Sequence, residues 1–213
     1  MDTAAPSGIS APIVAVSGHK QLAGVTNISL NHSRAARLAL EHLKVLGHDK
    51  IAFIKGQVFS SDTEVRWKAV RAAAKDLDLM VDEKLTVQLE SASPTPQPGY
   101  EMTCKLLRTA PPFTALFAFN DISALGAIRA LREAGRRIPE DVSVIGFDDI
   151  QSAAYQNPGL TTIRQPLREM GMTAAETLVQ RISTPKNAEY PRSIVVEPEL
   201  IIRGSTAAAS RLA

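Results

Sequence analysis

The segment Thr114–Ile150 reads TALFAFNDISALGAIRALREAGRRIPEDVSVIGFDDI, and it decides the fold of this chain. Ala115–Phe119 is a short apolar run that predicts a buried strand, and Val142–Phe147 predicts a second one. Between the two runs, apolar residues recur at helical spacing until Gly135, where a glycine can end the helix. A strand, a helix and a strand in this order predict a right-handed parallel crossover.

Polar pairs follow both predicted strands of this crossover. Asn120 and Asp121 follow the first strand, and Asp148 and Asp149 follow the second. Either pair alone is more typical of a helix cap or a turn than of a site. In open parallel sheets, however, ligands bind just beyond the carboxyl ends of the strands. The presence of both pairs on one crossover therefore favours a ligand site.

The rest of the chain also alternates between strands and helices. Extended segments are predicted at 11–16, 25–30, 51–54, 86–89 and 193–202, and helices at 31–46, 62–77, 100–109 and 167–182. Residues 91–99, with three prolines, are predicted to form a mobile connection. Regular alternation of this kind predicts an α/β fold with parallel sheets flanked by helices.

Composition excludes several classes of protein. With 45% hydrophobic and 22% charged residues, the 213-residue chain can bury an ordinary core. Its net charge of +2 is too small to predict a nucleic-acid surface. A single cysteine excludes an intrachain disulfide framework and favours a reducing compartment. Neither a signal peptide nor a membrane span is visible, so we expect a cytoplasmic protein.

No motif supports enzyme, metal or cofactor chemistry. The nucleophile elbow G-x-S-x-G and the glycine-rich phosphate loops do not occur. His42 and His48 lie on or just past one predicted helix without a cysteine or carboxylate at ligand spacing. We therefore expect a protein that is not an enzyme and uses neither a metal nor a cofactor.

An ordered set of sequence words resembles one known family. The words are AxxAxxHL at 36–43, LGHxxIA at 46–52, FND at 119–121, ALGA at 124–127, IPEDVSVIGFDD at 138–149, LTTIxQP at 160–166 and PELIxRGST at 198–206. They resemble the effector-binding core of LacI/GalR bacterial transcriptional regulators, over about residues 11–206 and in the same order.

The resemblance implies a periplasmic-binding-protein-like type I fold, in which two α/β subdomains close on a small effector. It assigns residues 1–30 to a tail and a remnant of the N-terminal subdomain, and 31–162 to the C-terminal effector-binding subdomain. It assigns 163–197 to a return into the N-terminal subdomain, 198–206 to a final strand and 207–213 to a flexible tail. The N-terminal subdomain is expected to be incomplete.

The function implied is that of a sensing and dimerising core of a transcriptional regulator. A small-molecule effector, a sugar, would bind in the cleft between the subdomains and control a DNA-binding head that this chain lacks. Homodimer contacts are expected from the helix at 122–134 and the turn near Tyr155. Operator DNA is expected to bind only through the missing head, and no membrane association is expected. The alternative is a stand-alone sugar- or solute-binding protein with the same cleft.

Family site residues can be carried over at six positions: Arg66, Asn120, Asp148, Gln165, Ser60 and Asp62. The planar guanidinium of Arg66 suits ligand hydroxyls or a ligand carboxylate. The amide of Asn120 can both donate and accept hydrogen bonds, and the carboxylate of Asp148 can accept from ligand hydroxyls. For Arg66 the alternative is a surface helix charge, and for Gln165 it is a hinge residue. Asp149 is expected to be structural.

Overall fold

The computed structural model describes residues 11–19, 21–183 and 190–210. The chain divides into two compact units. The smaller unit comprises Met1–Leu30 and Pro166–Val196, and the larger comprises Asn31–Gln165 and Glu197–Ala213. The chain therefore passes from one unit to the other after residues 30, 165 and 196.

The helices and strands alternate along the chain. In order they are β1 (Ile13–Val16), β2 (Val25–Leu30), α1 (His32–Val45), β3 (Ile51–Lys55), α2 (Ser61–Asp76), a short 3-10 helix (Glu83–Leu85), β4 (Thr86–Gln88), α3 (Gln97–Thr109), β5 (Ala115–Ala118), α4 (Asp121–Glu133), β6 (Ser143–Asp148), α5 (Gln151–Ala154), β7 (Thr161–Arg164), α6 (Leu167–Ser183), β8 (Ser193–Val196) and β9 (Glu199–Ile201). Among the described residues, no helix is both long and apolar enough to cross a bilayer.

The smaller unit is a parallel three-stranded sheet with one helix packed on it. Its strand order is β1-β2-β8, and α6 packs against β1 and β2. Ile28, Met170 and Val196 form its buried core, one residue each from β2, α6 and β8. The unit thus combines segments that lie far apart in sequence.

The larger unit contains a six-stranded sheet of order β4-β3-β5-β6-β7-β9. Neighbouring strands pair in parallel, except that β7 and β9 are antiparallel. Leu116 and Ala118 of β5 belong to a core shared with α3 and α4. On the other face, Phe53 of β3 packs edge to face on Trp67 of α2. Helices on both faces explain why the central strands read as continuous apolar runs.

This architecture confirms the α/β fold with parallel sheets flanked by helices that the sequence predicts. Two elements differ from their predicted bounds. Helix α3 begins at Gln97 and not at residue 100, because a proline is tolerated in the first turn, where the N–H groups lack helical partners anyway. The predicted strand at 193–202 is two strands in different sheets, and Pro198, which cannot donate a ladder hydrogen bond, lies between them.

The segment predicted as a flexible tail from residue 207 is held on the larger unit as far as it is described. The backbone N–H of Ala207 donates to Oγ of Ser143 at 3.0 Å, and its carbonyl oxygen lies 3.0 Å from Nε2 of His48. The N–H of Ala209 donates to the carbonyl of Leu46 at 2.7 Å. These hydrogen bonds fix residues that sequence composition marks only as small and polar.

Replacement of Leu116 by alanine tests the central position of β5. Leu116 is fully buried, so Leu116→Ala should lower the free energy of unfolding by about 3 kcal/mol, through lost apolar burial and a residual cavity. Urea unfolding followed by circular dichroism measures the change.

Val45→Ala is the control for this prediction, because Val45 is 86% exposed. Its effect should stay within about 0.5 kcal/mol. Equal effects of the two substitutions would contradict the placement of β5 in the core.

Candidate functional site

The six residues predicted to bind ligand lie at the carboxyl edge of the larger sheet or on the helix that follows β3. Asn120 follows β5, Asp148 ends β6 and Gln165 follows β7. Parallel strands end at the same edge, so these three side chains come from neighbouring strands. The remaining three, Ser60, Asp62 and Arg66, belong to the loop after β3 and the first turns of α2.

Arg66 is the most unusual group at this edge, because its side chain is charged and only 6% exposed. Its guanidinium carbon lies 3.6 Å from the ring centroid of Phe147 and 4.4 Å from that of Phe119. One terminal nitrogen donates to the carbonyl oxygen of Phe119 at 2.5 Å. The buried Nε has no hydrogen-bond partner. The surface-charge alternative for Arg66 is therefore wrong.

An unpartnered buried donor is costly, so Nε of Arg66 calls for a partner such as a water molecule or a ligand oxygen. Burial lowers the pKa of Arg66, and the carboxylates of Asp148 and Asp62 act in the opposite direction. A guanidinium remains protonated even so. Arg66 thus offers a positively charged guanidinium, held in place, with one N–H group that lacks a hydrogen-bond partner. A ligand oxygen would be a suitable partner for it.

Asp148 and Gln165 form a hydrogen-bonded pair beside this cation. Nε2 of Gln165 donates to Oδ1 of Asp148 at 2.5 Å. Burial raises the pKa of Asp148, while Arg66 and the Gln165 hydrogen bond lower it. Both side chains are half-buried, and the hydrogen bond from Gln165 engages Oδ1 of the carboxylate. The structure therefore brings Arg66, Asp148 and Gln165 together.

The backbone at Asp148 is strained. Its φ is 114° and that of Asp149 is 56°, although neither residue is glycine. Such conformations cost of the order of 1–3 kcal/mol each and persist where surrounding contacts impose them, commonly at binding sites. The strain is therefore consistent with a role of this turn in ligand binding.

Asn120, Ser60 and Asp62 contribute less directly. Oδ1 of Asn120 accepts from the N–H of Ser123 at 2.9 Å in a capping box, so this oxygen is already engaged in holding the helix start. Ser60 precedes α2 without a side-chain capping bond, and is half-buried. Asp62 is also half-buried and shifts the pKa values of both Arg66 and Asp148, so it lies near both.

A small cavity adjoins Arg66 between α2 and the sheet. Its volume is about 20 Å³, and its walls include Phe53, Trp67 and Phe119. A space of this size holds one water molecule and no sugar. A larger ligand would therefore have to bind outside this cavity, against Asp148 and Gln165.

Two further carboxylates stabilise the edge. Asp149 accepts from Nε of Arg164 at 2.7 Å and from a terminal nitrogen of Arg203 at 2.6 Å, in agreement with the structural role expected for it. Asp121, which the sequence pairs with Asn120 but does not place among the six candidate ligand positions, is fully buried. Carboxylates are common in the first turn of a helix, so its position after the N-cap does not by itself indicate a special role.

The buried Asp121 should make stability depend on pH. Burial raises its pKa to about 6, whereas the unfolded chain should release this proton near pH 4. Between these values the folded state binds the extra proton, so the free energy of unfolding falls as the pH rises. The shift corresponds to about 3 kcal/mol, lost between pH 4 and pH 6.5.

Urea unfolding of the wild type and of Asp121→Asn at pH 4 and pH 7 measures this contribution, because asparagine does not titrate. The stability of the wild type relative to the variant should fall as the pH rises. Parallel pH profiles for the two proteins would contradict the raised pKa.

Comparisons with known proteins agree with this architecture. Residues 40–206 match the family described as periplasmic binding protein-like domain. The HTH-type transcriptional regulator DegA of Bacillus subtilis is 37% identical over 196 residues, 92% of this chain and 56% of DegA. The HTH-type transcriptional repressor PurR of Haemophilus influenzae strain PittEE is 40% identical over 170 residues, 79% of this chain and 49% of PurR. The chain thus spans about half the length of these curated relatives.

A solved structure is similar over nearly the whole chain. It is a LacI family transcriptional regulator from Enterococcus faecium with bound ribose, with a TM-score of 0.80 and 32% identity. The match covers 93% of this chain and 72% of that one. The similarity therefore includes both the fold and a substantial part of the sequence.

Proposed function

Since this chain belongs to the periplasmic binding protein-like domain family, as the effector-binding core found in LacI-family transcriptional regulators, we propose that it senses a sugar for such a regulator. The larger unit, Asn31–Gln165 with Glu197–Ala213, is the proposed effector-binding subdomain. Effector binding would control DNA binding by a head outside this chain.

The main observation behind the proposal is the Nε–H of Arg66, a buried donor without a partner beside the hydrogen-bonded pair Asp148–Gln165. A sugar hydroxyl is both a donor and an acceptor, so one hydroxyl could accept from Nε of Arg66 and donate to Asp148. Binding would thereby give the buried N–H of Arg66 a hydrogen-bond partner. The NH₂ group of Asn120 would add a second donor.

The comparisons support the choice of a sugar and of a regulator. The similar Enterococcus faecium regulator holds ribose. The curated relatives carry the name of HTH-type regulators, which does not favour the stand-alone solute-binding alternative. We further propose a cytoplasmic, non-enzymatic protein that forms homodimers. Tyr155, assigned to the dimer contact, is 80% exposed in the single chain.

Arg66→Lys tests the proposed role of the guanidinium. Lysine keeps the positive charge but lacks the planar fork, so the stabilisation by bound sugar should be lost. Differential scanning fluorimetry of the chain with D-ribose and a panel of pentoses, hexoses and disaccharides measures the shift in Tm. At a ligand concentration near 100 times Kd, the wild type should gain about 3 kcal/mol, a shift of roughly 5–10 °C.

The Tm of each protein with sugar is compared with its Tm without sugar, so that a variant of lower intrinsic stability is not mistaken for one that fails to bind. Arg71→Lys is the matched control, because Arg71 lies on the same helix and is exposed. It should retain the full shift. An Arg66→Lys variant that keeps the wild-type shift would sink the proposed site, and a wild type that no sugar stabilises would refute the sugar assignment.

A further inference from the structure

The carboxylate of Asp121 has no task in capping its own helix. The start of α4 is capped by the reciprocal hydrogen bonds of Asn120 and Ser123. Asp121 nevertheless places a fully buried carboxylate next to that cap. Burial of a carboxylate is costly unless its oxygens are well bonded, so the two partners that it has are informative.

Both partners of Asp121 belong to elements that carry candidate ligand groups. Oδ2 accepts from the backbone N–H of Ile150 at 2.9 Å, and Oδ1 accepts from Oγ1 of Thr162 at 2.5 Å. Ile150 stands two residues after Asp148. Thr162 lies on β7, three residues before Gln165. One carboxylate thus connects the segments that present the hydrogen-bonded pair Asp148–Gln165.

The strained turn is the part of the site that most needs such a connection. Asp148 and Asp149 both have positive φ, a conformation that non-glycine residues leave unless the surroundings hold them. The N–H of Ile150 is the first donor after these two residues, and Asp121 binds it. Asp149 is held separately, by Arg164 and Arg203. The bond to Ile150 therefore acts on the backbone of the turn itself.

Gly146 makes the approach of Asp121 possible. A Cβ at this position of β6 would overlap Oδ1 of Asp121 and lie 2.9 Å from the side chain of Leu160. Its φ is not in the left-handed region, so backbone conformation does not require glycine here. The space above Gly146 is occupied by the carboxylate. Glycine at position 146 therefore leaves room for the Asp121 carboxylate, where any other residue would place a Cβ.

We propose that Asp121 is a positioning residue for effector binding, which fixes the turn of Asp148 and the strand of Gln165 in the geometry that receives the ligand. The inference rests on the proposed function. It adds a residue that does not touch the ligand, and it makes the affinity of the site depend on a hydroxyl of β7 that lies at 0% exposure.

The experiment uses Asp121→Ala and Thr162→Val, with D-ribose as the probe in isothermal titration calorimetry. Asp121→Ala should weaken ribose binding about tenfold or more, the effect expected for loss of charged hydrogen bonds. Thr162→Val removes one of the two bonds and should weaken binding by a smaller factor, while Thr162→Ser restores the hydroxyl and should rescue the affinity. If Asp121→Ala does not fold, the Thr162 pair still tests the proposal.

Ser205→Ala is the matched control. Ser205 is fully buried and links β6 to β7, donating to the carbonyl of Val144 and accepting from the N–H of Thr161. These bonds lie at the ends of β6 and β7 remote from Asp148. The variant should lose stability and keep its ribose affinity. Equal losses of affinity in Ser205→Ala and Thr162→Val would overturn the positioning role.

A second readout separates this inference from the proposed function. The ¹³C chemical shifts of Asp148 and Asp149 in the unliganded protein report their positive φ. They should change in Thr162→Val and stay constant in Ser205→Ala. If the wild type does not bind ribose but these shifts change in Thr162→Val, the result would count against ribose as the effector and support the positioning role. Unchanged shifts in Thr162→Val would overturn the positioning whatever the wild type binds.

Discussion

The enclosure of the Arg66 guanidinium between the rings of Phe119 and Phe147 is the contact on which the site depends. A cation taken out of water needs compensation from neighbouring charges, dipoles or aromatic faces. Two rings and one carbonyl oxygen supply part of it, and the carboxylates of Asp62 and Asp148 supply more. The buried Nε is the part of the guanidinium that lacks a hydrogen-bond partner.

The sheet of the larger unit explains how these groups come together. Its parallel strands end at one edge, and the rings that enclose Arg66 follow β5 and end the buried part of β6. Asp148 extends this edge through a strained turn, which side chains of other segments hold in place: Asp149 through its arginines, and Asp121 through Ile150. The candidate binding groups are thus positioned by polar contacts, and the apolar core supplies the scaffold beneath them.

Much of this fold could be read from the sequence, because central parallel strands are buried on both faces and appear as apolar runs. The runs at 115–119 and 142–147 are examples, and β5 and β6 occupy nearly the same residues. The split between β8 and β9 could not be read, since apolar residues stand on both sides of Pro198. The two strands pair with different sheets, and only long-range contacts decide this.

The site could be predicted in part. Strand ends and the family resemblance point to Asn120, Asp148 and Gln165, and the structure places them on neighbouring strands. The burial of Arg66 could not be predicted, because its stacking partners lie 53 and 81 residues further along the chain. The burial and the partners of Asp121 could not be predicted for the same reason, since those partners are 29 and 41 residues away.

A crystal structure of the chain with the first sugar found to raise its Tm would test the central claim most directly. A sugar hydroxyl within hydrogen-bond distance of Nε of Arg66 and of the Asp148 carboxylate is the predicted result. A sugar bound away from Arg66, with Nε still unpartnered, would contradict it.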